Sequence, residues 1–183
     1  MRSLILSSLF LAVSILFSGT AIAQERTTDR VWQSPNAAVA QTIGLTEVFV
    51  TYGRPAVRDR VIFAVDGLVP FDAVWRTGAN ESTAITFSDD VLIEGEFVEE
   101  GVYSLYTIPG EDEWTIIINN KLSWGTQYDE TEDVLRVQVQ PEESFYMDQM
   151  MIYFENVTPE QGDLVIHWDT VKVPVTIEPV EGT

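Results

Sequence analysis

An all-β fold, with two antiparallel sheets packed as a β-sandwich of about nine strands and little helix, is what the sequence predicts, and three observations carry it. Apolar residues recur with period two in short runs. Turn signals containing Gly or Pro separate these runs at near-regular spacing. No window carries a helical stripe longer than about two turns. Pattern alone does not choose between jelly-roll-like and immunoglobulin-like strand order.

Residues 1–23 stand apart. Arg2, an apolar run from Leu4 to Phe17 broken only by serines, and small residues ending Ala21-Ile22-Ala23 have the layout of a secretory signal peptide with an A-x-A cleavage site. The run falls short of the roughly 20 residues that span a bilayer, and no cysteine follows it to carry a lipid. The expectation is an exported chain, periplasmic or extracellular, that begins at Gln24 and inserts in no membrane. Gln24 to Gln33 reads as a loose polar leader, and residues 34–183 as a single β-sandwich domain.

The strands follow in order. Ala37, Val39, Gln41 and Ile43 alternate, Gly44 turns, and Thr46, Val48, Val50 and Tyr52 alternate back, which is an antiparallel hairpin. Further strands are expected at Thr83 to Phe87, Val91 to Phe97, Val102 to Ile108, Trp114 to Asn119, Val134 to Val139, Phe145 to Phe154, Asp163 to Trp168 and Val171 to Ile177. Glu94-Gly95, Glu100-Gly101, Pro109-Gly110 and Gln161-Gly162 are the main turn signals. Gly53 to Glu81 breaks the pattern. A connection this long in a compact β domain is functional or packed as an Ω-like crossing.

Charge narrows the partners. The chain has 10 Lys and Arg against 29 Asp and Glu, and loss of Arg2 with the signal takes the formal charge from −19 to −20 (9 − 29). That field repels phosphate backbones and anionic membrane surfaces, so no nucleic acid partner is expected. The cations are unevenly spread. Arg54, Arg58, Arg60 and Arg76 all fall in the long connection.

Guanidinium forks bind carboxylate or phosphate in bidentate fashion, and aromatic neighbours add a stacking wall. Tyr52, Arg54, Arg60, Trp75, Arg76, Asn80 and Glu81 are therefore the candidate ligand-binding set for a small anionic or carbohydrate ligand, together with Trp124 in the Trp124-Gly125 loop. The competing reading has the same arginines paired with acids, tying the connection to the sandwich. Glu81 is the one named acid/base candidate for an alternative function, an enzyme acting on envelope carbohydrate. A structural envelope protein is a third reading. The acid runs match no spaced calcium-loop signature and read as a solvated face. One histidine, His167, and no cysteine leave no His-based zinc cluster and no thiol chemistry, and G-x-S-x-G does not occur. No metal and no cofactor are expected.

Four stretches, SPNAAVAQTIGLTEVFVTYGRP, LVPFDAVWRTGANEST, GVYSLYTIPGEDEWTIIIN and WGTQYDETEDVLRV, resemble an uncharacterised family of exported bacterial proteins, domain of unknown function 2911. WRTGAN is the most specific of them. In that family a short basic, glycine-containing run after Arg-Pro leads into Ile-Phe-Gly. Here it reads AVRDRVIFAVDG, with Asp59 and Ala64 at the two glycine positions. The resemblance implies an exported, mostly β protein and supplies no reaction.

Overall fold

The computed structural model describes residue 26, residues 28–125 and residues 127–180; the segment read as a signal peptide lies outside the described residues. The strands are β1 (Asn36–Ile43), β2 (Thr46–Gly53), β3 (Phe63–Ala64), β4 (Val69–Pro70), β5 (Thr83–Phe87), β6 (Val91–Ile93), β7 (Glu96–Val98), β8 (Gly101–Ile108), β9 (Trp114–Asn119), β10 (Asp133–Val139), β11 (Glu142–Glu155) and β12 (Gly162–Pro179). A 3-10 turn at Glu130–Glu132 precedes β10, and no α-helix occurs among the described residues. The fold is an all-β sandwich. One sheet runs β1-β2-β5-β8-β9-β10, the other β11-β12-β6-β7, and a parallel pair β3-β4 sits within the long connection. Neighbours in both large sheets are antiparallel.

Alternation decides which side chains meet. On β2, Val48, Val50 and Tyr52 face inward; on β9, Trp114, Ile116 and Ile118 do the same. Leu164, Ile166 and Trp168 on β12 meet them from the other sheet, and both sets belong to one continuous core. His167 points the opposite way yet is fully buried, with Nε2 3.0 Å from the Phe145 carbonyl and Nδ1 3.4 Å from the Tyr153 hydroxyl.

Three elements differ from the sequence expectation. Val91 to Phe97 is a hairpin rather than one strand, because Glu94 (φ 51°) and Gly95 (φ 80°) supply the two left-handed residues of a tight turn. Asp163 to Trp168 and Val171 to Ile177 are one strand, β12: Asp169 takes a left-handed conformation (φ 57°) without ending the strand, and the register shifts opposite it are taken up by extra residues of β11 between Glu143 and Met151. The leader is docked where it is described, through Arg26 and through Gln33, whose side chain and carbonyl accept from Arg58.

The connection between β2 and β5 is packed into the sandwich. Val57, Ile62, Val69 and Trp75 are buried in the core. Residues 54–57 run along β11, with Met150 N donating to Pro55 O (2.9 Å) and Val57 N to Asp148 O (2.9 Å). Phe63 and Trp75 from the connection, Trp114 from β9 and Trp168 from β12 form a four-ring cluster with centroids 4.9–6.4 Å apart, Trp75 stacked on Trp168 and the rest edge to face. The return of the connection is fixed by a close approach at Gly53. A methyl there would lie 2.2 Å from the Ala79 carbonyl oxygen.

Gly53→Ala is expected to destabilise the protein by about 1–3 kcal/mol by overpacking backbone against backbone. Gly95→Ala, where an added methyl meets nothing within 4 Å, should lose only the ~1 kcal/mol of a left-handed alanine. Urea denaturation of the two variants checks the order.

Candidate functional site

The stretch VWRTGANEST is shaped by two constraints. Trp75 exchanges both backbone hydrogen bonds with Thr107 of β8 (2.8 and 2.9 Å), so Trp75 turns into the core and Arg76 onto the outer face of the six-stranded sheet, beside Tyr106. Then Thr77 (φ 52°) and Asn80 (φ 67°) adopt left-handed backbone, a conformation costly for β-branched threonine. Their surroundings hold them there. Thr83 Oγ1 donates to Thr77 O (2.7 Å), Thr77 Oγ1 to Thr107 Oγ1 (3.2 Å), Trp75 Nε1 to Gly78 O (3.1 Å) and Asn80 Nδ2 to Ser34 O (3.0 Å).

This geometry lays residues 80–82 against residues 123–125. Ser82 N donates to Ser123 O (3.0 Å), Gly125 N donates to Asn80 O (3.1 Å), and Glu81 and Trp124 form a β-bridge. Together the two segments cover an outer-face layer of Ala84, Ser104, Tyr106, Ile117 and Asn119, all buried although they face away from the core. Hydroxyls knit the layer. Ser82 Oγ lies 2.7 Å from Ser104 Oγ, Ser104 Oγ donates to Lys121 O (2.8 Å), and the Tyr106 and Ser123 hydroxyls share a hydrogen bond.

Arg26 closes this layer. Its guanidinium forms an ion pair with the Glu81 carboxylate at 3.2 Å, and both side chains are almost wholly buried. Nη2 also donates to Thr51 O (3.2 Å), Glu81 O (3.3 Å) and Ser82 O (2.7 Å), and Nη1 to Ala79 O (3.4 Å). Burial pulls the Arg26 guanidinium down to about 10, against the pull of Glu81 and with a small push from Arg76. Burial also lowers Arg76 from its ordinary value, partly offset by Tyr106.

The arginines of the connection behave differently. Among the described residues the ion pairs involve Arg26, Arg30, Lys121, Arg136 and Lys172, and none involves Arg54, Arg58, Arg60 or Arg76. Arg54 donates to Met150 O (2.8 Å), Arg58 to Gln33, and Arg60 to Val57 O (3.0 Å) and Ala56 O (2.6 Å). Arg76 is half-buried, its Nε is sealed from solvent, and its guanidinium has no hydrogen-bond partner among the described residues. Arg58, Arg60 and Arg76 contribute to the wall of a cavity of about 230 Å³ with Gln33, Trp75 and Trp168.

Of the residues singled out from sequence, Arg60, Trp75 and Arg76 come together around that cavity. Asn80 and Glu81 sit beside it in the loop that pairs with Trp124. Trp124 is half exposed and packs against Trp32, which carries the Arg30 guanidinium 4.6 Å above its ring. Tyr52 and Arg54 tie β2 to β11 instead, the Tyr52 hydroxyl accepting from Ile152 N (3.0 Å) and donating to Ile152 O (3.3 Å). Arg26, Arg58 and Trp168 were absent from the sequence-derived set. Trp168 reaches the wall through packing of the second sheet, and the only signal for Arg26 was a cation just past the expected cleavage site. Among the described residues no group of three His, Asp or Glu side chains converges to hold a metal ion.

Residues 34–177 match the family described as protein of unknown function DUF2911. The chain belongs to that family. Neither a curated protein nor a solved structure matches it. The matched span of this DUF2911 member begins at Ser34, so it takes in the cavity wall from Ser34 onward and Glu81, and leaves Arg26 outside.

Glu81→Ala would strand the buried Arg26 guanidinium without its counter-charge, and a loss of roughly 3–5 kcal/mol is expected. Lys172, by contrast, is shared between Glu142 (3.0 Å) and Glu155 (2.7 Å) at a more open surface. Removing either one of those carboxylates should cost under about 1 kcal/mol. Thermal unfolding of the three variants, read by tryptophan fluorescence, separates the two classes.

Proposed function

We propose that this DUF2911 member is an exported β-sandwich binding module for a small anionic or sugar-like ligand, held at the arginine-lined cavity beside the WRTGAN loop. One observation carries the reading: in a chain with 29 acids, Arg76 is half-buried with its Nε sealed from solvent, and its guanidinium has neither carboxylate nor carbonyl partner among the described residues. A guanidinium nitrogen sealed from solvent without a partner is unfavourable by itself. A carboxylate or phosphate bound there would satisfy it in bidentate fashion.

The cavity supports a small ligand. About 230 Å³ lies below the roughly 300–1,000 Å³ typical of drug-sized sites, which favours a single sugar acid, short carboxylate or phosphate ester. Trp75 and Trp168 supply an apolar wall, while Arg58 and Arg60 add positive charge at the rim. Strained backbone at Thr77 and Asn80 on the same loop is the kind of feature that clusters at ligand sites. The reading of Glu81 as acid/base of a carbohydrate-acting enzyme has less support, because its carboxylate is occupied by Arg26. Export rests on the sequence layout of residues 1–23; no helix among the described residues is long and apolar enough to cross a membrane.

A thermal-shift screen of the chain from Gln24 against carboxylates, phosphates, neutral sugars and sugar acids tests the proposal. A true ligand at a hundredfold excess over its Kd should raise the melting temperature by roughly 5–10 °C. That shift should vanish in Arg76→Ala and shrink in Arg60→Ala. If no anion or sugar moves the parent, and Arg76→Ala is itself much less stable, the arginines are structural and the proposal falls.

A further inference from the structure

Among the described residues of the N-terminal segment, Arg26 is the buried one; Thr28 to Gln33 are exposed or half exposed. This single side chain enters a slot whose oxygens all come from elsewhere: Thr51 O at the end of β2, Ala79 O, Glu81 O and Ser82 O of the loop, and the Glu81 carboxylate. Four of the five acceptors are backbone carbonyls. Their positions are set by the β2–β5 pairing, by the close approach of Gly53 to Ala79 and by the hydrogen bonds to residues 123–125. The slot is thus built by the sandwich and not by its occupant.

Its chemistry is selective. The acceptors take both terminal nitrogens of one planar group, two on Nη1 and three on Nη2. A lysine ammonium, with its three tetrahedral donors at one point, cannot serve both ends. Yet Arg26 is an imperfect occupant. Its Nε is buried with no partner, and the like-charged Arg76 lies nearby.

We propose that this slot is a recognition site for a guanidinium group, filled in this structure by the chain's own Arg26 and open to the arginine side chain of another peptide when Arg26 is withdrawn. With cleavage after Ala23, Arg26 is the third residue of the chain, so it is held by a short terminal tether. A tether of that kind fills the slot through high effective concentration, which a second guanidinium competes with only when Arg26 is withdrawn. The site is separate from the anion cavity: it takes a cation on Glu81, whereas the cavity takes an anion on Arg76.

Chemical rescue tests it. Arg26→Ala should melt several degrees below the parent, and millimolar methylguanidinium should restore most of that loss while leaving the parent unmoved. Methylammonium should do nothing, Arg26→Lys should remain destabilised, and Arg26→Ala combined with Glu81→Gln should not respond to methylguanidinium. If Arg26→Ala folds only when refolded with methylguanidinium, that counts equally in favour. Equal stability of Arg26→Ala and the parent overturns the proposal. So does an equal response to both additives, or an Arg26→Ala variant recovered with neither.

Discussion

The ring cluster of Phe63, Trp75, Trp114 and Trp168 is the constraint on which the rest of the molecule depends. It takes one ring from each large sheet and two from the long connection. Two sheets alone would close over an aliphatic core. With these rings in place, the connection becomes part of that core, and its two ends are fixed relative to β8 and β11. Each ring buries a large apolar area, and the offset and edge-to-face arrangements add a directional preference that aliphatic side chains lack. Trp75 is the pivot. Because it is held inward, Arg76 must emerge on the opposite face, and the loop must turn sharply through Thr77 to bring Glu81 to Trp124.

Electrostatics then divides the cations into two populations. Arg26, Lys121, Arg136 and Lys172 find carboxylates, as expected in a strongly acidic chain. The connection's arginines instead use carbonyls or, in Arg76, nothing among the described residues. Screening does not explain this, since it weakens exposed pairs and leaves buried ones nearly intact. Geometry does. Residues 54–57 run beside β11, where Arg54 meets the Met150 carbonyl; Arg58 and Arg60 lie against Gln33 and the carbonyls of Ala56 and Val57; and Arg76 faces the hydroxyl-rich outer layer around Tyr106. A cluster of cations without carboxylate partners among the described residues therefore persists inside a negative molecule.

Much of the architecture was legible because a half-buried strand writes its two faces into alternating residues. The hairpin of β1 and β2, and strands β5, β8, β9 and β10, lie where period two and the turn residues put them. Val91 to Phe97 looked continuous because its apolar residues sit on both sides of Glu94-Gly95, although that pair was itself a turn signal. Asp169 looked like a break because a single left-handed residue within a strand leaves the same trace as a turn. In the site, Arg60, Trp75 and Arg76 were legible as a rare concentration of cations and rings. Arg26 was not, because its slot is made of carbonyls that no side-chain pattern encodes.

The amino-acid sequence by itself determined the all-β class, most strand positions, the charge and the segment in which the cations gather, because each of these follows from local composition and periodicity. Only the tertiary structure decided what those cations meet. Strand order, the seating of Trp75 against Trp168, the burial of Glu81 against Arg26 and the lack of a partner for the Arg76 guanidinium among the described residues depend on contacts between residues far apart in the chain. Such contacts are set by how the two sheets and the connection pack at once, and no short window of residues carries that information.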